Sequence, residues 1–299
     1  MTQRAGTGSG PVARPWLDVS AVHGEGVVWD HAAGLLRFVD IPRGRVFAAD
    51  LGTGAVDWFD LPAPVTAVHP TTDPATLIVA DGDGIALAAE GVRVERLAAP
   101  LAGQPGIRMN DGNVDPAGRY FAGSMAYDAE PGAGCLYRLD SDHSLHTVLT
   151  GVTIGNGIDW SPDATSCYFV DSTLRRIDVF DYEVATGALS NRRVFADTSA
   201  IPGIPDGLTV DSEGGVWAAF FGGSRVCRFD AQGQADLTIM LPVSQVTSCC
   251  FAGPELDRLV ISTSTDGLSA GDLREQPAAG AIFLAEPGHS GRISKGFVI

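Results

Sequence analysis

The chain has 299 residues, of which 45% are hydrophobic, and it carries a net charge of −16 at pH 7. This length and hydrophobic content suffice for one large core or two modest ones. The acidic charge argues against a nucleic-acid or anionic-membrane partner, because phosphate groups would be approached against long-range repulsion, and no apolar run is long enough to span a bilayer.

The N-terminal stretch MTQRAGTGSGPVARP has a few charges but no apolar core behind them, which is not typical of a secretion signal. We expect residues 1–15 to form a disordered tail and residues 16–299 a single domain. The five cysteines show no C-x-x-C pairing, and an odd number does not suggest a disulfide framework. They are expected to be free buried thiols in a reducing cytoplasm, which is the predicted location.

Short runs rich in Val, Ile, Phe, Tyr and Thr recur along the chain between Gly, Asp, Pro and Ser, whereas amphipathic helix periodicity is nearly absent. One strand pattern occurs six times, at intervals of 40, 42, 48, 49 and 43 residues. Its copies are RFVD, LIVAD, RYFAGS, CYFVDS, VWAAFF and LVISTS, starting at Arg37, Leu77, Arg119, Cys167, Val216 and Leu259. The pattern indicates six repeated units of an all-β fold.

Each unit contains further strands on both sides of this repeat. One strand precedes the repeat, as in GEGVVWD and GNGIDWSPD. A second strand follows it, as in VFAAD and CLYRLD, and a more polar third strand comes after that, as in VDWFDL and RISKGFVI. Four antiparallel strands repeated every 40 to 50 residues are typical of a β-propeller blade. The sequence therefore predicts a six-bladed β-propeller around a central channel, with a two-domain sandwich as the alternative. The segments DPAGR, SPDAT and DSEGG supply tight turns at the same place in three units.

The innermost strands of a propeller line its channel, so equivalent residues on different blades converge around one axis. At the predicted position these residues are Glu25, Thr66, Asn110, Asn156, Asp206 and Ser248. We call them the ring residues. Asn-Gly and Asp-Gly pairs are common hairpin turns when they occur singly, but four carboxylates or carboxamides on one ring favour a binding site.

Two carboxylates held close together repel each other unless a cation lies between them, so the ring predicts one divalent metal ion. Oxygen ligands favour Ca²⁺, Mg²⁺ and Mn²⁺, with Zn²⁺ and Fe²⁺ as alternative occupants. Of the six histidines, only His23 is predicted near the channel mouth, and the other five are expected in turns or outer strands. This arrangement argues against a histidine-based hydrolase.

Several ordered blocks resemble the senescence marker protein, regucalcin and gluconolactonase family. They include GEGVVWD, RMNDGNVDPAGRYFAGSM, GNGIDWSPD and IPDGLTVDSEGGVWAAFFGGSRVCRFD, and the resemblance runs from about Trp16 to Arg292. Members of that family are six-bladed propeller lactonases that bind one divalent cation at the channel.

The resemblance implies metal ligation by Glu25 in GEG, Asn156 in GNG and Asp206 in PDG. It implies substrate contacts at Arg108 and Asn110 in RMND. A further acidic contact, commonly Glu in the family, would fall on Asp128, which is one methylene shorter, and the adjacent Tyr127 is the alternative contact.

The implied reaction is hydrolysis of a sugar-acid lactone, in which the metal polarises the carbonyl and Asp206 acts as both ligand and general base. The expected partner is a small-molecule sugar lactone, and a monomer is expected. Three other functions stay open at this point: a non-catalytic calcium-binding regulatory protein, a propeller phosphotriesterase or esterase resembling diisopropyl fluorophosphatase, and a purely structural protein-binding propeller.

Overall fold

The computed structural model describes residues 11–89 and 92–299. In this part of the chain, 24 strands form six four-stranded antiparallel sheets, which confirms the six-bladed propeller. The observed copies of the repeated strand begin within two residues of the predicted starts. No helix among the described residues is long and apolar enough to cross a membrane.

The first three blades follow the chain from the innermost strand outwards. Blade one comprises β2 (Gly24–Asp30), β3 (Leu35–Asp40), β4 (Arg45–Ala49) and β5 (Val56–Asp60), with a 3₁₀ helix at Ile41–Arg43. Blade two comprises β6 (Val65–Pro70), β7 (Leu77–Asp81), β8 (Ile85–Ala89) and β9 (Val92–Ala98). Blade three comprises β10 (Ile107–Val114), β11 (Tyr120–Ala126), β12 (Gly134–Leu139) and β13 (Leu145–Val152).

The next two blades repeat this order, and the last one is completed by the N-terminal strand. Blade four comprises β14 (Gly155–Trp160), β15 (Ser166–Asp171), β16 (Arg176–Glu183) and β17 (Ala188–Asp197), with a 3₁₀ helix at Ser172–Leu174. Blade five comprises β18 (Ile204–Val210), β19 (Val216–Phe221), β20 (Arg225–Phe229) and β21 (Ala235–Met240). Blade six comprises β22 (Val246–Ala252), β23 (Arg258–Thr263), β24 (Ala281–Ala285) and, outermost, β1 (Arg14–Asp18).

The ring is closed by β1, which pairs antiparallel with β24. Because β1 begins at Arg14, the last two residues of the predicted tail belong to the propeller, whereas residues 1–10 of that tail lie outside the described residues. The prediction of an outer strand in RISKGFVI was wrong, since β1 occupies the outer edge of the sixth blade. Instead, Phe297 forms a parallel bridge with Thr71 of blade two, and Arg292 donates a hydrogen bond to Asp159 Oδ1 at 3.0 Å.

The predicted turns form as the sequence indicates. Asp115 Oδ1 accepts hydrogen bonds from the backbone N–H groups of residues 117 and 119, and Asp211 Oδ1 accepts from those of residues 213 and 215. A single α-helix is found among the described residues, α1 (Ala270–Glu275), which the periodicity did not predict because six residues are too few. Its sequence signal is the capping box formed by Ser269 and Asp272.

The core lies between the faces of neighbouring blades. Its largest apolar cluster lies where the last blade of the ring meets the first, and it includes Trp29 of blade one, Trp217 of blade five and Phe283 of blade six. All five cysteines are free thiols, four of them buried and Cys135 half-buried. The packed blade faces therefore hold the innermost strands in fixed positions around the channel.

Candidate active site and metal centre

A backbone irregularity occurs at the ring position in all six innermost strands. In each of them, the register with the second strand of the blade shifts at or beside the ring residue. A bulge of this kind re-aims the local side chain and is common beside functional sites. The same local distortion of the backbone therefore recurs at the equivalent position of each blade.

The glycines after the ring residues allow the innermost strands to approach one another. A Cβ atom at Gly157 would clash with the backbone nitrogen of Leu208 on the next blade, and one at Gly207 would clash with the side chain of Ser248. The N-G and D-G pairs are therefore required by close contact between blades as well as by local turn geometry.

Four ring residues form a buried polar cluster: Glu25, Asn110, Asn156 and Asp206, each less than 8% exposed. Asn110 Nδ2 donates hydrogen bonds to Gly155 O at 2.9 Å and to Asn156 Oδ1 at 3.3 Å. The four side chains, together with Arg108, line one cavity of about 420 Å³. The structure therefore brings the predicted metal ligands Glu25, Asn156 and Asp206 together with two of the three predicted substrate contacts.

Arg108 lies on the same wall of the cavity. Its Nη1 donates hydrogen bonds to Asn110 Oδ1 at 2.6 Å and to Met109 O at 2.9 Å, and its guanidinium lies 5.9 Å from the centre of the Tyr127 ring. Burial lowers the pKa of Arg108, although the charges of Glu25 and Asp206 oppose this.

The carboxyl groups of the cluster are electrostatically strained. Burial, followed by the charges of Asp206 and Asp111, raises the pKa of Glu25 well above its usual value. Burial and the charge of Asp111 likewise raise the pKa of Asp206, and burial raises that of Asp111 to about 6. Burial and mutual repulsion thus disfavour the ionised forms of these carboxyl groups.

These residues fit a divalent cation. Within residues 11–89 and 92–299, neither Glu25 nor Asp206 forms an ion pair, although both are nine-tenths buried or more. Buried carboxylates are normally paired or bound to a metal. Glu25, Asn156 and Asp206 offer oxygen donors only, the set preferred by hard ions.

Two buried aspartates that the sequence analysis did not single out fix the segments leading into the site. Asp40 accepts hydrogen bonds from the backbone N–H groups of residues 22 and 23, and Asp171 accepts from those of residues 153 and 154, all at 3.0–3.1 Å. These segments run into Glu25 and Asn156. The sequence feature that could have identified them is the Val-Asp pair that the repeats RFVD and CYFVDS share.

The remaining predicted residues lie in different places. Asp128 is exposed, accepts a hydrogen bond from the backbone of Glu130, and does not line the cavity, whereas Tyr127 does. The ring residues Thr66 and Ser248 do not line the cavity either.

Two histidines were assessed differently by the sequence and the structure. His23 lines the cavity mouth as predicted, with Nδ1 3.6 Å from Asp266 Oδ2. His69 was wrongly expected in a turn or outer strand. It is buried in the innermost strand β6, three residues after the ring residue Thr66, and its Nε2 is 2.9 Å from Gly112 O.

A second group of possible metal ligands consists of Asp211, Glu213 and His289. Asp211 Oδ2 accepts hydrogen bonds from Trp217 Nε1 at 2.9 Å and from Arg228 Nε at 2.7 Å. This carboxylate is already satisfied by the protein, and the group has a structural role in the turn after β18.

A family model described as SMP-30/Gluconolactonase/LRE-like region matches residues 23–265. Regucalcin from Oryctolagus cuniculus is 40% identical over 266 residues, which cover 87% of this chain and 89% of that protein. The residues matched by the family model include all four of the polar cluster.

Solved structures show the same architecture along nearly the whole chain. The calcium-binding protein regucalcin from Agrobacterium tumefaciens superposes with a TM-score of 0.91 at 29% identity and covers 97% of this chain and 98% of its own. A luciferin-regenerating enzyme superposes with a TM-score of 0.88, also at 29% identity, and covers 97% of this chain and 100% of its own.

Proposed function

We propose that this chain, which belongs to the SMP-30, gluconolactonase and LRE-like family, is a metal-dependent hydrolase that opens sugar-acid lactones. The observation that carries the proposal is the pair of buried carboxylates, Glu25 and Asp206, which have no ion-pair partner among the described residues and face a cavity of about 420 Å³. Two carboxamides, Asn110 and Asn156, complete the polar end of that cavity.

Glu25, Asn156 and Asp206 would hold the cation. The chemistry that a bound divalent ion supplies is Lewis-acid polarisation of the lactone carbonyl, an effect of several kcal/mol on the charged transition state. The three side chains come from blades one, four and five, so the rigid ring fixes their spacing before any ligand binds.

Asp206 has a second role in the proposed reaction. One of its carboxylate oxygens accepts a proton from the attacking water while the oxygen of that water bonds to the carbonyl carbon. The bond between the carbonyl carbon and the ring oxygen then breaks, and Asp206 returns the proton to the leaving oxygen. The product is the open-chain hydroxy acid.

Arg108 contacts the substrate, and Asn110 holds Arg108 in position. Among the described residues, only Nη1 of Arg108 is hydrogen-bonded, so its other N–H groups are free to contact a lactone oxygen. Asn110 fixes the orientation of both Arg108 and Asn156 through its amide. Correct orientation of the carbonyl is itself a large part of the catalytic effect.

The experiment is a screen of five- and six-membered aldonolactones in weakly buffered indicator dye. Asp206→Ala and Glu25→Ala should each abolish metal-dependent hydrolysis while circular dichroism shows an intact fold. Asp57→Ala, which changes an exposed carboxylate on the outer strand β5, is the matched control. Unchanged rates in both site variants would refute the proposal.

A second candidate function is calcium binding without catalysis. It is favoured by the oxygen-only ligand set, which suits Ca²⁺, and one structural relative is described as a calcium-binding protein. Rates measured with Ca²⁺, Mg²⁺, Mn²⁺ and Zn²⁺ on the same lactones distinguish the two candidates. Tight calcium binding with no lactone hydrolysis under any of these ions would favour the non-catalytic function.

The proposal includes a monomer in a reducing cytoplasm. The five free thiols fit that compartment, and closure of blade six by β1 leaves the ring complete within a single chain. Light scattering on the purified protein tests the monomer.

A further inference from the structure

A second ring of side chains lies two residues before the first on every blade. Because strand side chains alternate with a period of two, these residues face the same side as the ring residues. They are His23, Pro64, Arg108, Ile154, Ile204 and Val246. All but the buried Val246 line the cavity, so this second ring forms the wall that a substrate meets.

Most of that wall is apolar. Pro64, Ile154 and Ile204 come from three different blades, and each is only half-buried, so part of each side chain remains exposed to the cavity. Met125 and Phe221, from the second strands of blades three and five, are likewise half-buried and line the same space.

Ile204 and Phe221 form a continuous surface, because they are paired directly in the ladder between β18 and β19. Ile154 lies on the adjacent blade at the equivalent position, two residues before Asn156. The Phe221 ring also stacks on His23, with ring centres 6.0 Å apart. The result is an apolar wall beside two of the three proposed metal ligands.

The polar groups of the cavity are largely occupied by the protein itself. Both amide hydrogens of Asn110 are donated to Gly155 and Asn156, and Ser172 Oγ accepts a hydrogen bond from Asn156 Nδ2 at 3.0 Å. His23 Nδ1 contacts Ser264 Oγ at 3.3 Å. Arg108 and Tyr127, both on blade three, and Asp266 beside His23 remain as the main groups for contacting substrate hydroxyls.

A cavity with a mostly apolar wall and few free polar groups suits a sugar lactone poorly. Several of its hydroxyls would lie against aliphatic carbon, and a buried polar group without a hydrogen-bond partner is costly. A cavity of about 420 Å³ also falls in the range that accepts drug-sized ligands, which is larger than a bare six-membered lactone needs.

We infer that the preferred substrate is a lactone bearing an apolar substituent on its ring, and that fully hydroxylated sugar-acid lactones are slower substrates of the same site. The inference rests on the proposed lactonase function. The ring carbonyl lies at the polar cluster and the substituent lies along the surface formed by Ile154, Ile204 and Phe221. The reaction is otherwise unchanged: water adds to the carbonyl carbon, the ring C–O bond breaks, and a hydroxy acid is released.

The test compares six-membered lactones that differ only in their substituents. Glucono-δ-lactone is set against δ-lactones carrying methyl, propyl and pentyl groups, and kcat/KM is measured for each with its uncatalysed rate subtracted. We expect kcat/KM to rise about fourfold for each methylene that the cavity buries. The pentyl lactone should therefore exceed the polyhydroxylated one by well over tenfold.

Two variants test whether the apolar wall causes the preference for alkyl-substituted lactones. Ile154→Thr and Ile204→Thr should each lower the ratio of kcat/KM for the pentyl lactone to kcat/KM for glucono-δ-lactone by about tenfold. Ile293→Thr, at an exposed position outside this cavity, is the matched control. The substituent series is measured on the unmodified protein, so the inference remains testable even if one of the two variants fails to fold.

The outcomes separate the inference from the function on which it rests. Hydrolysis of glucono-δ-lactone at least as fast as that of the alkyl lactones, or no dependence on chain length, overturns the inference and leaves the lactonase function standing. Absence of hydrolysis for every lactone and every cation overturns both.

Discussion

Replacement of Asp206 by Asn tests the metal centre through protein stability, independently of catalysis. The variant keeps the shape of the side chain and removes one of two buried charges that have no ion-pair partner among the described residues. Since burial and Asp111 raise the pKa of Asp206, its ionised form destabilises the metal-free fold, and this cost grows as the pH rises above the usual pKa of an aspartate. Without metal at pH 7, we expect Asp206→Asn to be at least as stable as the unmodified protein.

Added metal should stabilise the unmodified protein more than it stabilises Asp206→Asn. A ligand at 100 times its Kd stabilises the folded state by about 2.7 kcal/mol. For 299 residues, an unfolding entropy of about 2.1 cal/mol/K per residue gives about 0.6 kcal/mol/K in total, so the unmodified protein should gain about 4 °C in Tm. Asp206→Asn should gain less than about 1 °C at the same cation concentration, because it has lost a charged ligand.

Differential scanning calorimetry with chelator and with each divalent cation measures both effects. Asp57→Asn removes the same charge from an exposed position on β5 and should behave like the unmodified protein. An equal metal-induced shift in Asp206→Asn and in the unmodified protein would show that Asp206 is not a ligand.

Three further predictions concern the elements that position the site. Asp171→Ala leaves the buried N–H groups of residues 153 and 154 without partners, which should cost about 2–6 kcal/mol and lower Tm by about 3–10 °C in calorimetry. Gly207→Ala introduces a clash with Ser248 on the next blade and should lower the free energy of unfolding in urea by about 1–3 kcal/mol. Burial lowers the pKa of His69 to about 4, so the unfolded chain binds a proton that the folded protein does not, and stability should fall by up to about 3 kcal/mol between pH 6.5 and pH 4.

Each of these predictions has its own control. Asp197→Ala removes an exposed carboxylate that also caps backbone N–H, and it should change Tm little; a similar loss in both variants would contradict the role given to Asp171. Gly106→Ala adds a Cβ where no atom lies within 4 Å and should be neutral. His69→Gln should flatten the acid dependence, and an unchanged slope would contradict the assignment to His69.

The propeller and its ring residues were predictable because their signals are local and repeated. Each blade repeats the same strand pattern, and the close approach of innermost strands requires glycine at fixed positions such as Gly157 and Gly207. Six weak signals at one register position locate Glu25, Asn156 and Asp206 more firmly than any single N-G or D-G pair. The second ring, with Ile154 and Ile204, follows from the same register by counting back two residues.

Other features depend on competition between distant segments, which composition does not reveal. RISKGFVI has the composition of an outer strand, but β1 takes the edge of blade six, and Phe297 is buried against blade two instead. Asp128 lies in a loop whose own hydrogen bond to Glu130 turns its carboxylate away from the cavity. Such outcomes are decided by tertiary packing and loop conformation.

The most direct test of the central claim is activity on removal and return of the metal. The protein is dialysed against a strong chelator, freed of it, and assayed on its best lactone while one divalent cation is added in fractions of an equivalent. We predict that dialysis abolishes hydrolysis and that the rate recovers linearly to a plateau at one equivalent. Full hydrolysis by the chelated protein would contradict the assignment of Glu25, Asn156 and Asp206 as a catalytic metal centre.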